Sequence, residues 1–279
     1  MRHGCSQFAK LGPMAWERIA VPLDLRDWAD RALPVTRALA WRLGVRLDAV
    51  VVTDPGVDAR AGEGEVRRHA RSVGCELDGV ELRTDEDVAD GILAVAGTPD
   101  TLLCMATHAR SAAADLVIQS VSEQVLRRST RPVLAIGPRT VIDPLPRFED
   151  VVCCIGDDLG LARRLLPAAA DWGHQLGRGV VLVQVVKPGT HLPLDWISRG
   201  ELTQELSDRG VGATWQAEHD ADPATGILRF ADTRDGPVVV MASHGRAGLR
   251  RLALGSVTLD VLRRSAYPVL VVPGTAAAP

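Results

Sequence analysis

The chain has 279 residues, of which 46% are hydrophobic and 24% are charged, so it can bury a sizeable core and is not a disordered chain. Its 32 basic and 35 acidic residues give a formal net charge of -3, which provides no electrostatic reason to expect nucleic acid or an anionic membrane as a partner. Only Lys10 and Lys187 are lysines, and this scarcity argues against chemistry that depends on a lysine nucleophile.

Cysteine usage and the absence of long apolar runs favour a cytoplasmic protein. The five cysteines include no C-x-x-C pair, so the sequence predicts neither a disulfide framework nor a zinc site. The first residues lack the apolar centre of a signal peptide, and no apolar run approaches the roughly 18 residues that a membrane-spanning helix requires. We therefore expect a cytoplasmic chain that binds no membrane, no nucleic acid and no structural metal.

In chain order, a predicted N-terminal tail over residues 1–15 is followed by apolar runs typical of strands, which alternate with stretches of helical period. In the second half these runs cover residues 151–155, 180–186, 213–217, 238–241 and 269–272. Helical spacing of apolar residues appears over residues 161–176 and 256–264, and a short helix is expected around residues 202–206. Nearly continuous apolar strands indicate a parallel sheet that is covered by helices on both faces.

The sequence also repeats itself. Residues 120–134 reappear as residues 256–270, with ten of the fifteen positions identical at a constant offset of 136. Self-similarity of this kind predicts two copies of one domain, over residues 16–140 and 148–274, separated by a polar stretch that contains Pro144 and Pro146. The predicted fold class is α/β, with two tandem Rossmann-like doubly wound domains, each built on a parallel sheet of roughly five strands.

Each predicted domain ends in a short apolar strand, over residues 132–136 and 268–272. An unpaired strand edge tends to be paired or covered. We expect these two strands to pair with each other, which would make the monomer a pseudo-dimer. A homodimer formed through the same strands and ordinary edges covered by loops are the alternatives.

A glycine-containing segment over residues 241–256 leaves the fourth strand of the second half and enters a helix. Gly245, Gly248 and Gly255 would let an anion approach the backbone, and Arg246 would add positive charge. Ser256 is the expected N-cap of the following helix, whose free N–H groups would form a phosphate cradle. The alternative is an ordinary loop between a strand and a capped helix, because glycine-rich loops are weakly specific.

These residues carry a resemblance to the universal stress protein family. Nucleotide-binding members of that family have Gly-x-x-Gly, nine residues, then Gly-Ser or Gly-Thr, and this chain has Ala242-x-x-Gly245, nine residues, then Gly255-Ser256. The resemblance implies a five-stranded parallel α/β domain that binds ATP or a related adenine nucleotide, with or without Mg. It also implies dimers that pair through the last strand.

Carried over by this resemblance, the second half supplies a candidate nucleotide site. The predicted phosphate-binding and adenosine-binding residues are Ala242, Ser243, Gly245, Arg246, Gly255, Ser256, Val257, Asp157 and Val185. The family has an aspartate at the end of its first strand, where this chain has Gly156, with Asp157 one position later. The nucleotide site of the second half is therefore imperfect.

The first half shows the opposite pattern. It keeps the first-strand aspartate as Asp24, but its loop has Ala109 and Gln119 where the family has glycines, and Asp115 lies inside that loop. Side chains at those positions would crowd phosphate groups, and a carboxylate would repel them. We expect no nucleotide binding of the family type in the first half.

The resulting hypothesis is a stress-response regulator that binds an adenine nucleotide in its second half. One alternative is a stress protein that binds no nucleotide and acts by dimerisation or partner docking, and another is a weak ATPase. No catalytic or metal-binding residues are assigned, because His108 and His244 have no neighbouring carboxylate or serine in a recognisable catalytic arrangement.

Overall fold

The computed structural model describes residues 16–24, 31–53, 55, 62–107, 120–190, 194–243 and 254–274. The predicted tail over residues 1–15 lies outside this part of the chain. The ten strands and eight helices of the described residues alternate along the chain, so the predicted α/β class is confirmed.

The described part of the first half contains five strands and four helices. They are β1 (Arg18–Pro22), α1 (Ala32–Leu43), β2 (Arg46–Thr53), α2 (Glu63–Ser72), β3 (Gly79–Thr84), α3 (Val88–Val95), β4 (Thr101–Ala106), α4 (Val121–Arg128) and β5 (Val133–Ile136).

The second half follows the same succession of elements. They are β6 (Asp150–Cys154), α5 (Leu159–Leu176), β7 (Val180–Val186), α6 (Trp196–Asp208), β8 (Ala213–His219), α7 (Pro223–Ala231), β9 (Pro237–Ala242), α8 (Ser256–Arg264) and β10 (Val269–Val272). The bounds predicted for α8 agree with the structure. The helix expected around residues 202–206 is longer than predicted, because Asp195 caps it by accepting a hydrogen bond from Ser198 N at 2.8 Å.

All ten strands form one sheet in the order β3-β2-β1-β4-β5-β10-β9-β6-β7-β8. Within each half the strands are parallel and have the same order, 3-2-1-4-5 counted from the start of that half. The strand order reverses between the first and fourth strand of each half. This is the point at which doubly wound sheets bind their ligands, beyond the carboxyl ends of the strands.

Helices cover both faces of the sheet, as the apolar strands predict. One apolar cluster joins the strands to α1, α2, α5 and α6, and a second cluster on the other face joins them to α3, α4, α7 and α8. On the first face, the rings of Trp16 and Trp172 meet edge to face with centroids 5.1 Å apart. Because Trp16 precedes β1 and Trp172 lies in α5, this contact links the two halves.

The two halves meet where β5 and β10 pair in antiparallel orientation. Leu270 lies opposite Leu134, and both side chains are fully buried. The predicted pairing of the two last strands is therefore confirmed within the chain. The guanidinium of Arg42 also donates to the carbonyl oxygen of Leu176 at 3.1 Å, which ties α1 to the end of α5.

Candidate functional site

A cavity of about 560 Å³ opens at the carboxyl ends of β6, β7 and β9 in the second half. The N-termini of α5, α7 and α8 close its sides, and it lies at the reversal of strand order between β6 and β9. Its lining residues are Cys154, Ile155, Gly156, Asp157, Asp158, Leu161, Val183, Gln184, Val185, Val186, Lys187, Thr190, Pro223, Ile227, Met241, Ala242, Gly255, Ser256, Val257 and Thr258. This volume lies within the range of cavities that hold small ligands.

Two hydrogen bonds hold the start of α8 against the end of β9. The hydroxyl of Thr258 donates to the carbonyl oxygen of Ala242 at 2.7 Å, and Gly255 N donates to the carbonyl oxygen of Ser243 at 2.7 Å. Both bonds join residues on either side of positions 244–253, which lie outside the described residues, and they hold the helix start against the strand end. The N-terminus of α8 consequently faces the cavity from a fixed position.

The N-terminus of α8 is open in the sense that no side chain of the described residues caps it. Its N-cap residue is Gly255, which makes no side-chain cap, and its first turn contains no acidic residue. Ser256, which we expected to be the N-cap, is instead the first helical residue, and its side chain is exposed. Because the first N–H groups of a helix have no partner within the helix, this end carries a partial positive charge that is available to an anion.

The equivalent helix of the first half is closed by its own residues. Ser120 is the N-cap of α4, and its hydroxyl accepts a hydrogen bond from Glu123 N at 3.2 Å. Glu123 also places a carboxylate in the first turn. A side chain thus caps one N–H of the α4 N-terminus, whereas no side chain of the described residues caps α8.

Ser243 differs from the other predicted residues of the phosphate loop. It does not line the cavity, it is only 2% exposed, and its hydroxyl accepts a hydrogen bond from Gly274 N at 3.0 Å. Its backbone N–H donates to the carbonyl oxygen of Val272 at 2.8 Å. Ser243 therefore joins the end of β9 to the chain that follows β10.

Acidic residues at the end of β6 occupy another wall of the cavity. Asp158 is the N-cap of α5 and accepts a hydrogen bond from Leu161 N at 2.9 Å, whereas Asp157 precedes it and lines the cavity. At Gly156, an added Cβ atom would meet no atom within 4 Å, and the φ angle lies outside the left-handed region. Neither space nor backbone conformation therefore requires glycine at this position.

The third wall comes from β7. The side chain of Val185 packs against α7, where an added Cβ on Gly226 would come within 2.7 Å of the Val185 Cγ1 atom. Gln184 is 1% exposed, and its Nε2 atom donates to the carbonyl oxygen of Gly156 at 2.9 Å. Lys187 follows the strand and contributes an exposed cation at the rim.

The floor of the cavity is apolar, with Cys154, Ile227 and Met241 among its residues. Burial raises the pKa of the Cys154 thiol well above its ordinary value, so this cysteine is protonated and packs as a small apolar group. The neighbouring Cys153 is fully buried on the opposite face of the sheet. Both cysteines are therefore buried and pack as small apolar residues.

Six of the nine predicted site residues thus lie around one cavity: Asp157, Val185, Ala242, Gly255, Ser256 and Val257. Gly245 and Arg246 lie outside the described residues, as do Ala109, Asp115 and Gln119 of the first-half loop. The sequence did not single out Gln184, Lys187 and Thr258 as site residues. Thr258 could have been found from the repeat, because it aligns with Ser122 beside the other helix start.

The fold defines a doubly wound α/β protein with a cavity where proteins of this class hold their ligands. Residues 148–273 match the model of the Universal stress protein family. A universal stress protein of Mycobacterium tuberculosis (strain H37Rv) is 26% identical over 183 residues, an alignment that covers 61% of this chain and 61% of the relative. A universal stress protein of Methanocaldococcus jannaschii is 40% identical over 50 residues, which cover 18% of this chain and 31% of that protein.

The fold is also similar to that of solved structures over nearly the whole chain. The crystal structure of a universal stress protein from Archaeoglobus fulgidus superimposes with a TM-score of 0.67 at 19% identity, covering 93% of this chain and 99% of that chain. The second half is therefore a universal stress protein domain over the residues that the family model matches. The family resemblance carried by the glycine-loop residues is confirmed.

No helix among the described residues combines the length and the apolar character needed to cross a membrane. Within the same residues, no group of three or more His, Cys, Asp or Glu side chains is arranged to hold a metal ion.

Proposed function

We propose that the second half binds an adenine nucleotide, such as ATP, and that the protein acts as a nucleotide-dependent regulator in a stress response rather than as an enzyme. The observation that carries this proposal is the open N-terminus of α8, which faces a cavity large enough for a nucleotide. In this arrangement the backbone around Gly255, Ser256 and Val257 holds phosphate, with Gly245 and Arg246 completing the loop. Asp157 and Val185 lie on the adenosine side.

The proposal assigns unequal roles to two domains, residues 16–140 and residues 148–274. The first is a degenerate copy whose α4 N-terminus is capped by Ser120, with the Glu123 carboxylate in the first turn, and its role is to pair with the second through β5 and β10. The second contains the nucleotide site. Any Mg would enter with the phosphate groups of the nucleotide, since the described residues offer no cluster of metal ligands.

A matched pair of substitutions tests this function. Gly255→Asp places a carboxylate at an N-cap whose backbone is already extended, with φ -58° and ψ 142°, so it caps α8 and repels phosphate. We expect this variant to keep its melting temperature and to lose at least tenfold in ATP affinity, measured by calorimetric titration. The control is Ser120→Asp, which makes the same change at α4 and leaves ATP affinity unchanged.

Three other outcomes point elsewhere. ATP binding that Gly255→Asp leaves intact moves the site away from α8. Failure of the unmodified protein to bind ATP at millimolar concentration favours a module that acts through protein contacts alone, which the glycine at position 156 also suggests. If the unmodified protein hydrolyses ATP, as measured by phosphate release, and Gly255→Asp abolishes this hydrolysis, the protein is an ATPase.

A further inference from the structure

Lys187 is the only basic residue among the described residues that line the cavity of the second half. It follows β7 directly and is exposed to solvent. A turn fixes its backbone, because the N–H and the hydroxyl of Thr190 both donate to the Lys187 carbonyl oxygen, at 3.1 and 2.7 Å. Pro188 and Gly189 form the middle of this turn, and Gly189 has the left-handed φ angle of 78° that the turn requires. The lysine is therefore presented from a defined position at the carboxyl end of β7.

Among the described residues, no carboxylate forms an ion pair with the Lys187 ammonium. Asp220 is its neighbour on β8, since Asp220 N donates to the carbonyl oxygen of Val186 at 3.1 Å. The Asp220 carboxylate is engaged elsewhere, accepting hydrogen bonds from Arg229 Nη1 at 2.8 Å and from Asp222 N at 3.0 Å. Lys187 consequently offers its charge to a group inside the cavity.

The first half has the opposite charge at the equivalent position. Repeat-related glycines of α3 and α7 lie against Val52 and Val185, where an added Cβ atom would come within 2.6 and 2.7 Å of a valine methyl group. These two valines are therefore equivalent. In the sequence, Asp54 and Lys187 each follow two positions later and each precede Pro-Gly. The half that is expected not to bind a nucleotide has an acid where the other half has a lysine.

Lys187 and the start of α8 belong to different walls of the cavity. Lys187 lies two residues beyond Val185, on the adenosine side of the proposed site, whereas the 5′-phosphates are assigned to the start of α8. The acidic lining residues Asp157 and Asp158 belong to the β6 wall. The apolar floor suits the face of a purine ring, which leaves the ribose hydroxyls towards the open rim.

We propose that Lys187 binds a second phosphate group carried by the ribose, so that the preferred ligand is an adenine nucleotide phosphorylated on its 2′ or 3′ hydroxyl. An ammonium without a carboxylate partner is a suitable donor to such a phosphate, because a hydrogen bond between two charged groups is stronger than one between neutral groups. The inference rests on the proposed nucleotide site. It adds to that site the class of adenine nucleotide that the site prefers.

The test compares AMP with adenosine 2′,5′-bisphosphate and adenosine 3′,5′-bisphosphate by calorimetric titration. We expect one of the two bisphosphates to bind roughly tenfold more tightly than AMP, as one hydrogen bond between charged groups allows. In Lys187→Gln this ratio falls to about one, whereas Lys187→Arg keeps the charge and retains the preference. Arg263→Gln removes an exposed charge at the far end of α8 and serves as the control for net charge, with the ratio unchanged.

The comparison on the unmodified protein needs no variant. Bisphosphates that bind no more tightly than AMP overturn the inference, and the proposed nucleotide site stands as long as ATP binds. A preference that persists in Lys187→Gln also overturns it, and an equal loss for AMP and the bisphosphates in that variant assigns Lys187 to the 5′-phosphate instead. Failure of ATP, AMP and both bisphosphates to bind overturns the proposed site and this inference together.

Discussion

Gly156 is the single residue at which the candidate site departs most clearly from the family pattern. The family has an aspartate at this position, and the carboxylates nearest to it in sequence are Asp157 and Asp158. Asp158 is the N-cap of α5, and Asp157 precedes it and lines the cavity. The space above the Gly156 Cα atom is open, so a Cβ atom at this position would meet no other atom within 4 Å.

Restoring the family residue should strengthen binding. Gly156→Asp adds a charged acceptor to the cavity, and because a hydrogen bond to a charged group contributes about 1.5 to 3 kcal/mol, we expect ATP affinity to rise roughly tenfold or more. Calorimetric titration measures the change. Gly200→Asp, an equally unobstructed glycine on α6, is the control and should leave affinity unaltered. Unchanged affinity in Gly156→Asp would mean that Asp157 already fills the aspartate's role.

At the scale of elements, the two helix starts α4 and α8 show how similar sequences acquire different properties. The two helices contain aligned segments of the repeat, yet α4 begins after a serine N-cap and α8 begins after a glycine. A side-chain cap stabilises a helix and occupies its first N–H groups, whereas a glycine N-cap leaves those groups to an external anion. One helix start is thus stabilised by a side-chain cap, and the other has no such cap among the described residues.

Stability measurements should reveal this difference. Ser120→Ala removes the cap on Glu123 N and should lower the free energy of unfolding by about 1 kcal/mol. Ser256→Ala changes an exposed first helical residue and should cost less than about 0.5 kcal/mol. Urea denaturation of both variants checks the prediction. Equal losses would show that Ser256 also caps its helix.

On the scale of the whole molecule, the pairing of β5 with β10 turns two five-stranded sheets into one sheet of ten strands. Leu134 and Leu270 face each other across this junction and are fully buried. Such a junction removes two strand edges that would otherwise be open to another chain. It also makes the stability of each half depend on the other.

Truncation at this junction should therefore affect the protein as a unit. Leu134→Ala and Leu270→Ala each leave a cavity in a close-packed region and should lower the free energy of unfolding by about 2 to 5 kcal/mol. Because the two residues lie opposite each other, the loss of unfolding free energy in the double variant should differ from the sum of the two single losses by at least about 0.5 kcal/mol. A denaturation-based double-mutant cycle measures this coupling. Strict additivity would contradict an energetic link between the halves.

Much of the fold could be predicted from the order of residues. Apolar runs and helical periods are local properties of the chain, so the α/β class and the bounds of α8 follow from the sequence directly. The expected open edges of the two terminal apolar strands likewise indicated that these strands would pair. The length of α6 was underestimated because the start of the helix depends on the Asp195 cap, a local contact that the spacing of apolar residues does not reveal.

The sequence by itself determined that each half is an alternating α/β unit and that a glycine-containing loop precedes α8, since both are patterns of neighbouring residues. Tertiary structure decided which residues meet at the site. Gln184 and Gly156 are 28 positions apart and become hydrogen-bonded only because β6 and β7 lie side by side in register. Tertiary contacts also decided where α8 begins. Gly255 and Thr258 are hydrogen-bonded to the end of β9, and the N-cap is Gly255 rather than the expected Ser256.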